Sequence, residues 1–118
     1  GVHSYNFGFT AATANLPAIA IPAGVSAAFW KFSVKYDRDD NESTNCNAGL
    51  VDRIAATLGG QALNQTCADI PLFLPVTFDL SAQAGQTVNL GYTFFAGPTQ
   101  NNGQGAWIDD IEVGWTCN

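Results

Sequence analysis

Along residues 30–36 apolar and polar side chains alternate one for one: Trp30, Phe32, Val34 and Tyr36 against Lys31, Ser33 and Lys35. Successive side chains of a strand point to opposite faces, so this run buries one face and wets the other. The pattern recurs. Tyr5, Phe7 and Phe9 alternate near the start; Leu50–Leu58 reads as a strand; Val76, Phe78 and Leu80 alternate next. Val88, Leu90, Tyr92 and Phe94 then alternate against Thr87, Asn89, Gly91 and Thr93. No segment keeps an apolar stripe at i, i+3, i+4 and i+7 with caps, so helices are not expected. Short alternating runs cut by Gly, Pro, Asn and Asp predict an all-β fold, an antiparallel β-sandwich.

The connections follow from the same reading. Leu16 to Val25 is Ala-rich and carries Pro17 and Pro22, which predicts an edge strand or an irregular extended segment. Asp37 to Gly49 reads as a polar loop, Gly59-Gly60 as a turn and Gln61 to Asp69 as a second polar connection. Ser81 to Gln86 turns the chain, and Gly97 to Gly105 is a long Gly/Asn/Gln loop. No internal repeat or linker divides residues 1–118, which predicts one domain with a core of its own.

Composition narrows the function. Hydrophobic residues make up 47% and charged residues 12%, a balance that argues against disorder. No run of about 18 apolar residues exists, so no membrane insertion is expected. The net charge is −6, and the only basic residues are Lys31, Lys35, Arg38 and Arg53. Phosphate contacts need clustered Lys and Arg, so a nucleic-acid partner is not expected. No signal peptide is visible; the start at Gly1 and the lack of Met lead to the expectation of a processed or excised chain.

Cys46 and Cys67 bracket a stretch of polar and turn residues, so a bridge between them is the simplest pairing in an oxidising compartment. Cys117 is left over. It reads either as a free or truncated terminal thiol or as a bond to another chain or segment. Without a Cys-x-x-Cys spacing, and with His3 far away, zinc is not expected. The sequons Asn41-Glu42-Ser43 and Asn64-Gln65-Thr66 agree with secretion and surface loops.

The chain closes on Gly105-Ala106-Trp107-Ile108-Asp109-Asp110-Ile111-Glu112-Val113. Unbroken alternation places Trp107, Asp109, Ile111 and Val113 on one face, with Asp109 among apolar neighbours. A carboxylate there needs a cation, a set of donors or a proton. In Leu50–Leu58, Asp52 shares a face with Ile54, Ala56 and Leu58 in the same way. Two such acids repel unless something positive separates them, and Ca²⁺, which takes six to eight oxygens, fits. Asp39, Asp40, Asn41 and Glu42 could supply further oxygens, although the loop lacks the EF-hand pattern. The competing reading gives Asp109 backbone N–H donors and leaves Asp37 to Glu42 a solvated loop.

Trp30, Phe32, Tyr92 and Phe94 are expected to build the core, with Trp107 on the same grounds. Trp115 and Phe95 are candidates for sugar-stacking platforms, or for capping the sandwich or meeting a partner chain. Catalysis has little support: the one His lies at position 3, and Asp109 and Asp110 face opposite ways in the strand reading, so they cannot flank one glycosidic bond.

Three stretches resemble the MAM-like superfamily of secreted bacterial β-sandwich modules, including the immune-inhibitor-A-like, choice-of-anchor and cleaved-adhesin types. They are Ala28-Phe29-Trp30-Lys31-Phe32-Ser33-Val34, the run from Phe78-Asp79-Leu80-Ser81 through Ala84-Gly85-Gln86-Thr87-Val88, and the closing Gly105–Val113 strand. The usual Trp between the middle strand and the Asp79-Leu80-Ser81 stretch is absent here, with Leu72-Phe73-Leu74 in that place. The resemblance implies a jelly-roll sandwich, often with a structural Ca²⁺ near the closing Asp pair. On this sequence that role falls on Asp109 or Asp110, and on Asp52. It further implies an accessory, targeting or adhesive role without catalysis. The resulting expectation is an extracellular or cell-surface binding module, not an enzyme, with a carbohydrate or cell-surface ligand. The alternative is a self-assembling subunit of an extracellular filament or surface layer that exchanges its long, apolar, Pro-interrupted residues 2–25 with a neighbour.

Overall fold

A computed structural model describes residues 2–9, 13–37, 45–46, 53–95 and 105–117, with side chains over 13–37, 45–46, 53–94 and 106–117. Among these residues the chain forms strands β1 (Val2–Phe9), β2 (Thr13–Asn15), β3 (Ile19–Ala20), β4 (Val25–Asp37), β5 (Arg53–Leu58), β6 (Gln61–Thr66) and β7 (Ile70–Asp79). A 3-10 turn at Ser81–Gln83 leads into β8 (Thr87–Val88), β9 (Leu90–Phe95) and β10 (Gly105–Cys117). The pairings are all antiparallel. They build one four-stranded sheet in the order β1-β10-β4-β7, a second in the order β2-β9-β5-β6, and a small β3-β8 pair. The expected all-β sandwich is the observed fold.

The alternation of β4 survives intact: Trp30, Phe32, Val34 and Tyr36 are buried, while Lys31 is exposed and Ser33 and Lys35 are half-buried. Trp30, with no exposed surface, is tied to the opposite sheet by its indole N–H, which donates to the Tyr92 hydroxyl at 3.1 Å. Phe32 meets the same tyrosine edge-on, ring centroids 4.9 Å apart. Such pairs add about 0.5–1.5 kcal/mol beyond the area they bury. Phe94, on β9 beside Tyr92, packs edge-on against Tyr36 at 5.6 Å.

Residues 13–25 contribute more than an edge. β1 pairs with β10 in the first sheet and β2 with β9 in the second, so the N-terminal segment switches sheets. Leu16, Ile19 and Ile21 are buried in the common core, while the neighbouring Pro17 and Pro22 are exposed. The Leu16 N–H donates to the Leu90 carbonyl and the Ile21 N–H to the Gln86 carbonyl, each at 2.9 Å. The prolines sit where no ladder donor is required.

Two expectations on the connections are corrected. Gln61 to Thr66 is a strand, paired with β5 across the Gly59-Gly60 turn. Both glycines are left-handed, φ +60° and +82°, the backbone that a tight two-residue hairpin needs. Its residues are exposed or half-buried, so no apolar alternation announces it. β7 begins at Ile70, well before Val76, and carries Pro71 and Pro75 at a sheet edge, where a missing N–H is tolerated. Of the polar loop 37–49, only Asp37, Asn45 and Cys46 are described, and the 97–105 loop lies outside the described residues except for its last position.

The Cys46–Cys67 bridge is formed, with Cα atoms 5.4 Å apart and the two cysteines 21 positions apart in sequence. Closing a loop of that size contributes about 3 kcal/mol in the chain-entropy account. It fixes the β6–β7 connection, where Cys67 is buried. Cys117 is exposed and free.

Burial pushes the Tyr92 hydroxyl well above the ordinary phenol range, and the bond from Trp30 offsets only part of this. The unfolded chain ionises this group near pH 10 and the native chain does not, so its contribution is complete below about pH 10 and is lost as pH rises. Thermal melts between about pH 9 and about pH 11 should fall more steeply for the native sequence than for Tyr92→Phe. Equal slopes would show that Tyr92 is not desolvated.

Candidate functional site on the outer face of the first sheet

The closing strand departs from unbroken alternation at one place. On β4 the partners run Asp109↔Ser33 and then Glu112↔Lys31, so Asp110 and Ile111 together oppose Phe32. On β1 the partners run Tyr5↔Ile111 and then Phe7↔Ile108, so the extra residue is extra on both sides. Asp110 takes φ +54°, the one non-glycine residue with positive φ among those described. Asp is among the few side chains that tolerate this backbone. The Asp109 Oδ1 accepts the Asp110 N–H at 2.8 Å and holds the bulge.

The bulge reverses which face each residue presents. Ala106 and Ile108 point inward before it, and Ile111 and Val113 point inward after it, each at most 1% exposed. Trp107 and Asp109 therefore sit on the outer face with Glu112, half-buried. The expectation that Trp107, Asp109, Ile111 and Val113 share a buried face is overturned, and Trp107 is not a core residue. Asp109 needs no buried counter-charge, because it lies outside and uses one oxygen on its own strand. The spacing was legible: inward positions 106, 108, 111 and 113 step by two, three and two.

Outward residues of β4 and β10 then make one polar face with aromatic rings. Lys31 Nζ lies 3.0 Å from Glu112 Oε2, a solvated pair worth at most about 1 kcal/mol, and 5.6 Å from the Phe29 centroid. Lys35, opposite Trp107 in register, holds Nζ 5.5 Å from the indole centroid. At an exposed site such a cation–π contact is worth about 0.5–1 kcal/mol and orients the ring.

Two depressions lie along this face. One, of ≈ 510 Å³, is lined by Lys35, Asp37, Asp69, Pro71 and Trp107. The other, of ≈ 830 Å³, surrounds the bulge, with Lys31, Ser33, Thr77, Asp110 and Glu112 among its lining. Lys31 and Lys35 stand four strand residues apart, about 13 Å, so the two hollows follow the line of β4.

The other expected site residues divide as follows. Trp115 is half-buried, its ring packed against the core on the inward side of β10. Phe95 is the last residue of β9, opposite Arg53, and its side chain lies outside the described residues. Asp40, Glu42 and Asp52 also lie outside them. Asp109 and Asp110 are neighbours at the bulge, and among the described residues no three His, Cys, Asp or Glu side chains gather as a metal site. Two carboxylates fall short of the six to eight oxygens Ca²⁺ takes, so the described donors alone do not fit that ion. Compared with known proteins, the chain matches no family model, no curated protein and no solved structure.

Asp110→Gly should leave stability unchanged or raise it by up to about 1 kcal/mol, since glycine takes positive φ freely. Asp110→Val should cost about 1–2 kcal/mol for placing a β-branched residue in the left-handed region. Urea unfolding of both variants measures this, and a neutral valine would mean that the bulge is not held.

Proposed function

We propose that this chain is an extracellular, non-catalytic binding module that takes a carbohydrate on the outer face of the first sheet. The observation that carries the reading is the hollow that brings Trp107 together with Lys35, Asp37 and Asp69. A pyranose ring needs a flat apolar surface for its C–H face and charged acceptors and donors for its hydroxyls. Indole, carboxylate and ammonium supply these. The neighbouring hollow along β4 suits further sugar residues of a polymer.

The strand orders support a jelly-roll sandwich, as the MAM-like resemblance implies: β1 to β2 and β6 to β7 each cross from one sheet to the other. The Cys46–Cys67 bridge suits an oxidising, extracellular setting. Self-assembly through exchange of residues 2–25 is the weaker reading, because Leu16, Ile19 and Ile21 already fill the chain's own core.

Pull-down on a panel of insoluble polysaccharides, followed by titration with soluble oligosaccharides, tests the proposal. Trp107→Ala should weaken binding at least about tenfold, about 1.4 kcal/mol, while its melting temperature stays near that of the parent. Failure to bind any polysaccharide, or binding indifferent to Trp107, would sink it.

A structural Ca²⁺ belongs to the same proposal, with Asp109 and Asp110 joined by Asp40, Glu42 and Asp52. An ion bound by the native state alone stabilises it by mass action, so the melting temperature should fall in chelator and recover on adding Ca²⁺. An unchanged melt removes the ion and leaves the carbohydrate reading standing.

A further inference from the structure

The hollow at Trp107 is not electrically neutral. One step beyond Tyr36↔Ile70, the last pair of β4 and β7, the same antiparallel register sets Asp37 opposite Asp69. Tyr36 is buried, so the two acids stand on the outer face, and both line the hollow. Residues directly opposite each other hold their Cβ atoms about 4.5–5.5 Å apart, and like charges so placed repel. Among the described residues lining the hollow the one cation is Lys35, and its ammonium stands over the Trp107 ring, 5.5 Å from the centroid. Asp37 and Asp69 against Lys35 leave this lining with one negative charge in excess.

We propose that the sugar taken here is an amino sugar with a free, protonated amine, repeated along a polymer; this rests on the carbohydrate reading of the same hollow. An ammonium drawn to Asp37 and Asp69 relieves the repulsion between them. Shape directs the rest of the ring. Pro71 of β7 and Trp107 of β10 lie on either side of Lys35 in the order β10-β4-β7, two strand spacings or about 10 Å apart. A pyranose lying across Lys35 meets the indole with its C–H face, while its amine reaches the carboxylates at the strand ends. Lys35 already occupies the ring as a cation, so a second ammonium goes to the acids and not to the indole. N-acetylation removes the charge and leaves the acid pair uncompensated. A uronic-acid polymer sets more carboxylates against that pair and against a chain of net charge −6. A basic peptide also carries ammonium groups but has no use for the indole.

Isothermal titration of the 118-residue chain at about pH 6 tests this, where carboxylates are ionised and amino-sugar amines are protonated. The probes are glucosamine oligomers, the same oligomers fully N-acetylated, galacturonate oligomers of equal length, and polylysine. Glucosamine oligomers should bind at least about fivefold tighter than the N-acetylated ones, and galacturonate oligomers most weakly. The preference should shrink in about 0.5 M salt. Asp69→Asn should abolish it and leave binding of the N-acetylated oligomers in place. Asp79→Asn makes the same change of charge about 33 Å along β7, and its amide oxygen can still accept the Ser81 N–H; this variant should keep the preference. Equal binding of the charged and acetylated oligomers, or a preference that both variants lose alike, overturns the amino-sugar proposal and leaves the carbohydrate reading standing. Polylysine that binds as tightly as the glucosamine oligomers and is indifferent to Trp107→Ala overturns it in favour of a basic peptide. Failure of every oligosaccharide to bind removes the carbohydrate reading itself, and this proposal with it.

Discussion

The closing strand lies between β1 and β4 and carries one residue more than either. Most of what is distinctive here depends on that extra residue. A strand of period two can keep a single face in the core. β10 puts Ala106 and Ile108 inside at one end and Ile111 and Val113 inside at the other, which is possible only if the chain gains a residue between them. Asp110 supplies it in a left-handed conformation, and Asp109 braces it through a bond to the next N–H. Against unbroken alternation, the bulge moves Trp107 from core to surface and removes a buried acid that would otherwise need neutralising.

The rest of the face follows. Once Trp107 is outside, it meets Lys35 of β4, and the hollow beside it collects Asp37 and Asp69 from the ends of two neighbouring strands. The inner side is held by a different device: Trp30 and Phe32 of the first sheet close on Tyr92 of the second through one hydrogen bond and two ring contacts. On the β6–β7 side, polar Asn64 and Thr66 line a small cleft together with Ile70, Val76 and Phe78.

Much of this was legible in the residues. The alternation of β4, β9 and the latter half of β7 gave the fold class, and Trp30, Phe32, Tyr92 and Phe94 are buried as their positions demand. β6 was not legible, because an edge strand with both faces near water needs no apolar period. The contribution of residues 16–21 to the core was hidden by two prolines, which read as breaks although they lie between buried positions. Trp107 reads as a core residue under unbroken alternation, because the added residue at Asp110 puts the positions before it on the opposite face relative to Ile111 and Val113.

The sequence alone determined that this chain is an antiparallel sandwich with Trp30, Phe32, Tyr92 and Phe94 inside and a Cys46–Cys67 clip, since period, turn residues and cysteine placement are local properties. Tertiary structure decided which face each half of β10 presents and which residues share the hollow at Trp107. These depend on strands distant in sequence: Lys35, Asp69 and Trp107 become neighbours only when β4, β7 and β10 lie in one sheet. Two-for-one pairing at Asp110 exists only relative to its partners on both sides.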